Sequence, residues 1–330
     1  MAEKEQRSRV TMTSTDSHST FSQLKALVSP ETTLRQGEPL ARKTTLRVGG
    51  PAEFYLEPEN ESELGSVLQF AKSNHIPVML LGRGSNLLIR DGGIPGLVIS
   101  LNKPGFSQTN HEGQQINCGA GVRLKRVANE ARDLGLAGLE FLEGIPGSVG
   151  GALRMNAGAM GGWMFRVTRE IRFMTMDGIV NVLPADQIDS SYRHCAFFEN
   201  HVALSATLHG NVDDRQAIKQ RMDEGNQKRW ATQPHESSAG CIFKNPSTIP
   251  SGKLIEELGL KGKRIGGASV SEIHGNFIVN DGTASAHDVL SLIEFIQQKV
   301  RSERGIDLQI EVQIVGLNTS ISVGEPCITA

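Results

Sequence analysis

The chain has 330 residues, of which 38% are hydrophobic and 21% are charged, and its formal net charge is -2. This length predicts about two domains that can each bury a core, and the near-neutral balance excludes the strongly basic field of a nucleic-acid-binding protein. No apolar run approaches the ~20 residues that span a bilayer, and the polar N-terminus lacks a signal-peptide core, so we expect a cytoplasmic protein that does not enter the membrane.

The N-terminal third predicts a tail followed by alternating helices and strands. Residues 1–20 are polar and rich in Ser and Thr, which is typical of a disordered tail. Residues 21–28 predict a short helix, and strand-like spacing begins at Thr44 and is broken by a Gly-Gly-Pro turn. The segment ESELGSVLQFAKSNH has apolar residues at helical spacing. It leads into a strand, PVMLLG, and a Gly-rich turn, GRGSNLLIRDGG.

The rest of the chain predicts a second domain. A helix, VRLKRVANEARDLGL, precedes a dense Gly region, and strands dominate until about residue 210. The polar helix over 212–230 marks the predicted boundary, so we expect domains over 21–210 and 211–318 and a tail over 319–330. The second domain contains a helix at KLIEELGL, a strand FIVN, a long helix HDVLSLIEFIQQKVRSERG and an alternating strand IDLQIEVQIVG.

Four cysteines, Cys118, Cys195, Cys241 and Cys327, are scattered along the chain without any C-x-x-C spacing. Structural zinc sites and disulfide frameworks of small secreted domains use closely spaced cysteines. The sequence therefore predicts neither a metal site nor a disulfide framework.

Three Gly-bearing loops indicate a cradle for a large cofactor. GRGSNLL does not have the G-x-G-x-x-G spacing of a Rossmann domain, but Gly82 and Gly84 let the backbone turn so that its N–H groups converge on a phosphate. GIPGSVGGALRMNAGA is a second such loop, and the segment at 119–121 is a third. Glycine carries an entropic cost, so this density inside a folded region favours close approach to a ligand. An ordinary set of tight turns is the alternative and stays open at this point.

Seven segments resemble, in order and spacing, the MurB family of UDP-N-acetylenolpyruvoylglucosamine reductases, over roughly residues 37–316. They are PLARKTTLRVGGPAEF, LGRGSNLLIRDGGIPGLVI, GLEFLEGIPGSVGGALRMNAGA, SYRHCAF, SSAGCIFKNP, KLIEELGLKGKRIGGASVSEIHGNFIVN and LQIEVQIVG. The resemblance implies an α+β fold, with a two-lobed FAD-binding module of the vanillyl-alcohol-oxidase type over 21–210 and a C-terminal α+β substrate domain over 211–318. No long insertion follows Tyr192-Arg193, which resembles the shorter class of the family.

The resemblance also implies a reaction and its cofactors. The family reduces UDP-N-acetylglucosamine enolpyruvate to UDP-N-acetylmuramate in peptidoglycan synthesis, with non-covalent FAD and with NADPH as co-substrate. Carried over to this sequence, the FAD-binding residues are Gly82, Arg83, Gly84, Ser85, Asn86, Gly119, Gly121, Gly144, Ile145, Pro146, Gly147, Ser148, Gly150, Gly151, Asn156, Ala157 and Gly158.

The same resemblance implies three catalytic residues. Arg193 would hold the substrate carboxylate through paired hydrogen bonds, and Glu311 would help to polarise the enol. Most relatives have serine where this chain has Cys241, and a thiol, with a free pKa near 8.5, can donate the required proton. From the residues alone, a solvated surface is the more typical place for Arg193 and Glu311, and a small core residue is the more typical role of Cys241.

The expected substrate contacts are Tyr192, Arg229, Lys244 and Asn245, and we expect a monomer. Two rival functions remain open. One is an oxidase of the same flavin fold, although no His for covalent flavin attachment occurs in residues 82–93. The other is a nucleotide-binding module without turnover, against which the joint presence of Arg193, Cys241 and Glu311 argues.

Overall fold

The computed structural model describes residues 14–318. The first helix, α1, spans Ser14–Ala26, so the prediction of disorder over 1–20 is wrong for residues 14–20, and the helix begins earlier than residue 21. Leu24 on this helix is fully buried, and the Ser17 hydroxyl donates to the Glu53 carboxylate at 2.8 Å. The helix is therefore docked on the first lobe. The remaining part of that tail and the predicted tail over 319–330 lie outside the described residues.

The first lobe is a mixed four-stranded sheet covered by helices. Its sheet has the order β1-β2-β5-β3, in which β1 is antiparallel to β2 and the other two pairs are parallel. Asn60 caps the second helix by accepting the Glu63 N–H at 3.0 Å, as a helix N-terminus requires. After α1 the elements are β1 (Thr33–Pro39), β2 (Pro51–Glu57), α2 (Glu61–Ser73), β3 (Val78–Leu80), β4 (Leu87–Ile89) and β5 (Ile94–Ile99).

The second lobe is an antiparallel five-stranded sheet of order β12-β11-β13-β7-β6. A third helix ends at Gly135, whose φ of +71° is the left-handed C-terminal cap that glycine adopts readily. The elements are β6 (Thr109–Glu112), β7 (Gln115–Gly119), α3 (Leu124–Leu134), β8 (Leu136–Ala137), α4 (Val149–Arg154), β9 (Gly158–Ala159), β10 (Gly162–Trp163), α5 (Met164–Val167), β11 (Thr168–Thr175), β12 (Val180–Pro184), β13 (His201–His209), β14 (Asn211–Val212) and α6 (Arg215–Thr232).

The C-terminal domain is a four-stranded antiparallel sheet of order β15-β18-β17-β16 with a long helix packed on it. That helix, α8, begins with a reciprocal capping box between Ser285 and Asp288 and ends at Gly305. The elements are β15 (Ser237–Cys241), α7 (Ser251–Glu257), β16 (Arg264–Ile265), β17 (Ala268–Val270), β18 (Phe277–Asn280), α8 (Ala286–Arg304) and β19 (Gln313–Val315). The predicted α+β architecture, two lobes followed by a smaller α+β domain, is confirmed.

The packing of α6 places the boundary between the domains later in the chain than predicted. Ile218 and Met222 on this helix are buried in the same hydrophobic core as both lobes, whereas the separate core of the C-terminal domain begins at Ala239 in this part of the chain. The boundary therefore lies near residue 233, at the end of α6, and not at 211. The polar composition of the predicted helix suggested a boundary there, but two buried apolar side chains suffice to fix the helix on the second lobe.

The C-terminal domain is joined to the first lobe by backbone pairing and by side chains. Strand β19 pairs in parallel with β4, and the Asp91 carboxylate accepts the Ala286 and His287 N–H groups at the start of α8, each at 2.8 Å. The Asn280 amide donates to the Leu46 carbonyl at 3.0 Å. The strand pairing and the Asp91 contacts fix the domain relative to the loop that follows β3. Among the helices within residues 14–318, none is long and apolar enough to cross a membrane.

Candidate active site

A cleft between the two lobes contains part of the predicted cofactor cradle. Gly82, Gly121, Ser148, Gly150 and Gly151 line it. Ala120, in the predicted loop at 119–121, lines it as well. The other lining residues were not predicted, because most of them are apolar and resemble ordinary core in the sequence: Leu80, Leu81, Ile99, Leu101, Asn102, Arg154, Phe198, His201, Val202 and Ala203. The Gly82–Asn86 loop meets the start of α4 here, since a Cβ on Gly82 would lie 3.1 Å from the Ser148 hydroxyl.

The glycines of the cradle separate into two groups. Gly84 and Gly119 are required by the protein itself, because a Cβ there would lie within 3 Å of the backbone of residues 43–44 and Phe106 respectively. Gly151 is different: it lies in α4 and faces the cleft, and the nearest atom to an added Cβ is the Ser148 hydroxyl at 3.7 Å. Alanine is favoured over glycine in a helix, so protein packing does not account for this residue.

Ser148 is 4% exposed at the start of α4. Its side chain makes no capping hydrogen bond to α4, and it lines the cleft, so the hydroxyl is open to a ligand there. The open face of Gly151 and the Ser148 hydroxyl line the same cleft. Together they fit a ligand that presses on the backbone and accepts a hydrogen bond, as FAD does.

The predicted catalytic residues Arg193, Cys241 and Glu311 lie together, although they come from distant parts of the chain. The Arg193 Nε donates to Glu311 Oε1 at 2.8 Å, and the Tyr192 hydroxyl lies 3.3 Å from Glu311 Oε2. Glu311 is only 7% exposed, which is the opposite of the solvated strand face that alternation suggested. Burial raises the pKa of the Cys241 thiol to about 11, with a further contribution from the Glu311 charge and an opposing one from Arg193.

A strained turn presents Tyr192 and Arg193 to Glu311. Arg193 has a φ of +55°, which is uncommon for a residue with a Cβ and is often found at functional sites. Backbone hydrogen bonds between Ser191 and His194 close the turn on both sides. The Asn156 amide donates to the Ser191 carbonyl at 3.2 Å. Asn156, which was predicted to contact the cofactor, therefore supports the turn that carries Arg193.

The Glu311 segment is held between the cofactor loop and β15. The Asn86 amide lies 3.4 Å from the Glu311 carbonyl, and the Gln313 N–H donates to the Asn86 carbonyl at 3.0 Å. On the other side, the Glu311 N–H donates to the Ile242 carbonyl at 2.8 Å. Ile242 follows Cys241 directly, so this bond places the thiol-bearing strand beside the carboxylate. The Gly82–Asn86 loop is thus connected by hydrogen bonds to the catalytic cluster of Arg193, Cys241 and Glu311.

The other residues predicted to bind the cofactor lie around the Gly82–Asn86 loop and the catalytic residues, and not all of them line the cleft. The carbonyl of Gly158 accepts a hydrogen bond from Arg193 Nη1 at 3.2 Å, and Ala157 is buried in the core of the lobes. The segment Gly144–Gly147 lies beside the cofactor loop, since a Cβ on Gly147 would be 4.0 Å from the Ser85 hydroxyl. Arg83 is exposed at the surface. Partial desolvation of its guanidinium by the surrounding protein, and then the charge of Arg123, lower the pKa of that group.

The residues predicted to contact the substrate lie at different distances from the cluster of Arg193, Cys241 and Glu311. Tyr192 belongs to it and is 65% exposed. Lys244 adjoins it through its backbone N–H, which donates to the Gln309 carbonyl at 2.8 Å. The Asn245 side chain accepts the first N–H of α7, from Ser251, at 3.0 Å. Arg229 makes local contacts at the end of α6, with Gln233 at 3.2 Å and with the neighbouring Trp230 ring.

One residue of the site was missed by sequence reasoning. Asn276 is 2% exposed, and its side chain bonds to the backbone of Phe243, two residues beyond Cys241. Its only sequence signal is a polar residue directly before the apolar strand FIVN, and this pattern is equally typical of a turn.

Comparisons with known proteins agree with this geometry. The model of a FAD binding domain matches residues 52–183, which confirms the predicted FAD-binding module, and that of the UDP-N-acetylenolpyruvoylglucosamine reductase C-terminal domain matches residues 233–315. The reductase of Bacillus subtilis (strain 168) is 42% identical over 85% of this chain and 93% of its own length. That of Synechococcus sp. (strain WH7803) is 43% identical over 87% and 94%.

A solved structure shows the same fold. The crystal structure of UDP-N-acetylenolpyruvylglucosamine reductase from Thermus caldophilus is 37% identical, has a TM-score of 0.74, and matches 86% of this chain and 98% of its own. Both the sequence relatives and this structure cover the two lobes and the C-terminal domain in a single alignment. The chain therefore belongs to the UDP-N-acetylenolpyruvoylglucosamine reductase family.

Proposed function

We propose that this protein catalyses the NADPH-dependent reduction of UDP-N-acetylglucosamine enolpyruvate to UDP-N-acetylmuramate. The main support for the proposal is that Arg193, Cys241 and Glu311 lie close together beside the cofactor loop, in a chain of this family. FAD, when bound, supplies the redox chemistry by accepting a hydride from NADPH and passing it to the methylene carbon of the enolpyruvyl group. The work of the protein is to hold the substrate, stabilise charge and deliver a proton.

Arg193 is proposed to hold the substrate carboxylate. Hydride addition to the methylene carbon moves the electron pair of the double bond to the neighbouring carbon, so negative charge develops next to the carboxylate. A guanidinium has five N–H donors, and Arg193 uses Nε for Glu311 and one donor of Nη1 for Gly158. Donors therefore remain for a second, substrate carboxylate. Fixed positive charge at this place stabilises the transition state more than the ground state.

Cys241 is proposed to donate the proton that completes the reduction. The carbon that gains the electron pair takes the proton from the thiol, which leaves a thiolate and a saturated lactyl ether. With a pKa raised to about 11, the group is protonated at neutral pH and ready to act as an acid. The thiolate regains a proton from solvent before the next turnover, because the same high pKa favours the thiol.

Glu311 is proposed to act through its charge and its hydrogen bonds. Its carboxylate orients Arg193, and its negative charge opposes ionisation of Cys241. The Tyr192 hydroxyl completes the arrangement, since burial and the Glu311 charge raise the pKa of that phenol and keep its proton in place. Tyr192, Lys244, Asn245 and, at a greater distance, Arg229 are proposed to contact the nucleotide part of the substrate.

The predicted FAD contacts also remain part of the proposal. The N–H groups of the Gly82–Asn86 loop and the Ser148 hydroxyl would bind the pyrophosphate, and Gly151 would lie against the cofactor. The segments Gly119–Gly121, Gly144–Gly147 and Asn156–Gly158 would surround the rest. We further propose that the enzyme is a cytoplasmic monomer and that it serves cell-wall synthesis, on which cell shape and division depend.

An anaerobic stopped-flow experiment tests the function. The purified protein is expected to be yellow, to lose flavin absorbance on addition of NADPH, and to regain it on addition of the enolpyruvyl nucleotide. Reoxidation by O2 with turnover of an alcohol or sugar would instead support an oxidase. Bound FAD that NADPH does not reduce, or that the enolpyruvyl nucleotide does not reoxidise, would support a module without turnover.

A further inference from the structure

The strand that carries Cys241 is irregular directly before the thiol. Strands β15 and β18 pair in the register Ser238↔Val279 and then Cys241↔Phe277, so the β15 strand has one more residue than its partner between these pairs. Gly240, with a φ of +77°, lies in this bulge. Bulges redirect side chains and are frequent beside active sites. The ordinary strand ladder therefore does not by itself fix where the Cys241 side chain points.

Beyond the last backbone pair of β15 and β18, Asn276 bonds to the chain that follows Cys241 through its backbone and its side chain. Its backbone carbonyl accepts the Ile242 N–H at 2.9 Å. Its side-chain oxygen accepts the Phe243 N–H at 2.9 Å, and its side-chain nitrogen donates to the Phe243 carbonyl at 2.8 Å. This paired hydrogen bond holds one residue, Phe243, at both its N–H and its carbonyl. On the opposite side, the same segment is held by Glu311, whose N–H donates to the Ile242 carbonyl.

We propose that Asn276 is a positioning residue that fixes Cys241 beside Glu311 and Arg193 by clamping the backbone of the two residues that follow the thiol. The inference deepens the proposed function and rests on it for its kinetic consequence. The side chain is buried, and its oxygen and nitrogen bond to the N–H and the carbonyl of Phe243 respectively, so it has a single arrangement. The amide also interacts with the Cys241 sulfur, which lowers the pKa of the thiol and partly offsets the effects of burial and of Glu311.

Asn280 provides a matched control on the same strand. It is 6% exposed, and its side chain also bonds to backbone groups, donating to the Leu46 carbonyl and accepting from the Gly282 N–H. These contacts lie at the other end of β18, away from Cys241. The variants Asn276→Ala and Asn280→Ala therefore remove comparable buried amides, and only the first releases the strand that carries the thiol.

The kinetic test compares the two half-reactions in FAD-loaded protein. In Asn276→Ala, flavin reduction by NADPH is expected to stay within about twofold of the parent. Reoxidation by the enolpyruvyl nucleotide is expected to slow by about 10- to 100-fold, the scale of losses caused by small misplacements of a reacting group. Its solvent deuterium isotope effect should increase as proton delivery becomes limiting. In Asn280→Ala both half-reactions should remain near the parent rates, whatever the loss of stability.

A second readout does not depend on activity. Alkylation of Cys241 by iodoacetamide in the FAD-free protein, quantified on the peptide that contains it, is followed over a pH series so that the rate constant of the thiolate is separated from its pKa. The thiolate rate constant should be several-fold higher in Asn276→Ala than in the parent and unchanged in Asn280→Ala. If Asn276→Ala does not fold, Asn276→Ser removes the paired hydrogen bond to Phe243 while adding no charge, and its thiolate rate constant should change in the same direction.

Equal effects of the two alanine variants, or normal reoxidation and normal alkylation in Asn276→Ala, would overturn the positioning role. Failure of the parent protein to be reoxidised by the nucleotide would instead overturn the proposed function, and the alkylation rates would then decide the positioning role alone.

Discussion

Arg193 and Glu311 form an ion pair with 2.8 Å between Nε and Oε1, across 118 positions of the chain. The carboxylate is almost completely buried, whereas the guanidinium keeps about a quarter of its surface exposed. The guanidinium keeps N–H donors beyond those bonded to Glu311 and Gly158, and it is these that we propose bind the substrate carboxylate. The pair thus joins the second lobe, through the Tyr192-Arg193 turn, to the C-terminal domain.

Replacing Arg193 by lysine is expected to lower kcat by roughly 100-fold or more. Lysine keeps the charge but lacks the planar set of donors that can bind Glu311 and a substrate carboxylate together. Flavin reduction by NADPH should change little, and single-turnover absorbance measurements separate the two steps. The companion variant Glu311→Gln, which keeps the shape without the charge, should also impair reoxidation. A loss confined to NADPH oxidation in either variant would contradict these roles.

The reactivity of Cys241 should be low for a partly accessible thiol. Because only the thiolate attacks iodoacetamide, a pKa of about 11 leaves a thiolate fraction at pH 7.5 that is roughly two orders of magnitude below that of a free cysteine with a pKa near 8.5. The alkylation rate of FAD-free protein should rise with pH toward a midpoint near 11. In Glu311→Gln the midpoint should fall, since the negative charge that opposes ionisation is removed. A midpoint below 9 in the parent protein would be inconsistent with the observed environment.

Gly151→Ala separates folding from cofactor binding. The added methyl has room within the protein, with its nearest neighbour at 3.7 Å, and alanine is favoured over glycine in a helix by about 1 kcal/mol. The FAD-free variant should therefore melt at the same temperature as the parent or higher. Its affinity for FAD should fall by about tenfold or more, as fluorescence titration would show. Unchanged FAD affinity would mean that the cofactor does not lie against this face of α4.

The buried carboxylate of Glu63 should make stability dependent on pH in the acidic range. Burial alone would raise its pKa, but hydrogen bonds from Thr32, Glu59 and Ser29 outweigh it and lower the pKa. A lowered folded-state pKa means that Glu63 stabilises the fold above its unfolded pKa of about 4.3, and that this contribution disappears as the pH falls through the folded value.

Glu63→Gln should accordingly cost about 1–3 kcal/mol of unfolding free energy at pH 7. The difference from the parent should shrink below about pH 4. Urea unfolding at a series of pH values measures it, and a difference that does not change with pH would show that the charge of Glu63 is unimportant.

Local patterns in the sequence predicted the elements that depend on local chemistry. The periodic helices α2 and α8 and the strand at FIVN occur where expected, because their apolar spacing and their caps are contained within each segment. The predicted start of α1 and the assignment of α6 to the C-terminal domain were wrong. Both depend on the hydrophobic core against which a few apolar side chains of the helix pack, and that core is distant in the sequence. The resemblance to the family identified Arg193, Cys241 and Glu311, whereas residue types alone left each of them open.

The features that sequence could not supply are those that join distant segments. The burial of Glu311 depends on contacts with Arg193 and Asn86, which are 118 and 225 positions away. The hydrogen bonds of Asn276 to Phe243 depend on a bulge in β15. No local sequence pattern predicts the bulge or these hydrogen bonds. The apolar side of the cleft, including Leu80 and Phe198, has the composition of ordinary core. Such contacts become visible only when the lobes and the C-terminal domain are assembled.

The most direct test of the central claim, that the Cys241 thiol protonates the substrate, is single-turnover reoxidation of NADPH-reduced flavin in Cys241→Ala. We expect normal reduction by NADPH, whereas reoxidation by the enolpyruvyl nucleotide should slow by about 10²- to 10⁴-fold, the usual contribution of a general acid. Cys241→Ser should retain much more of the rate. Reoxidation of Cys241→Ala at the rate of the parent protein would contradict this claim.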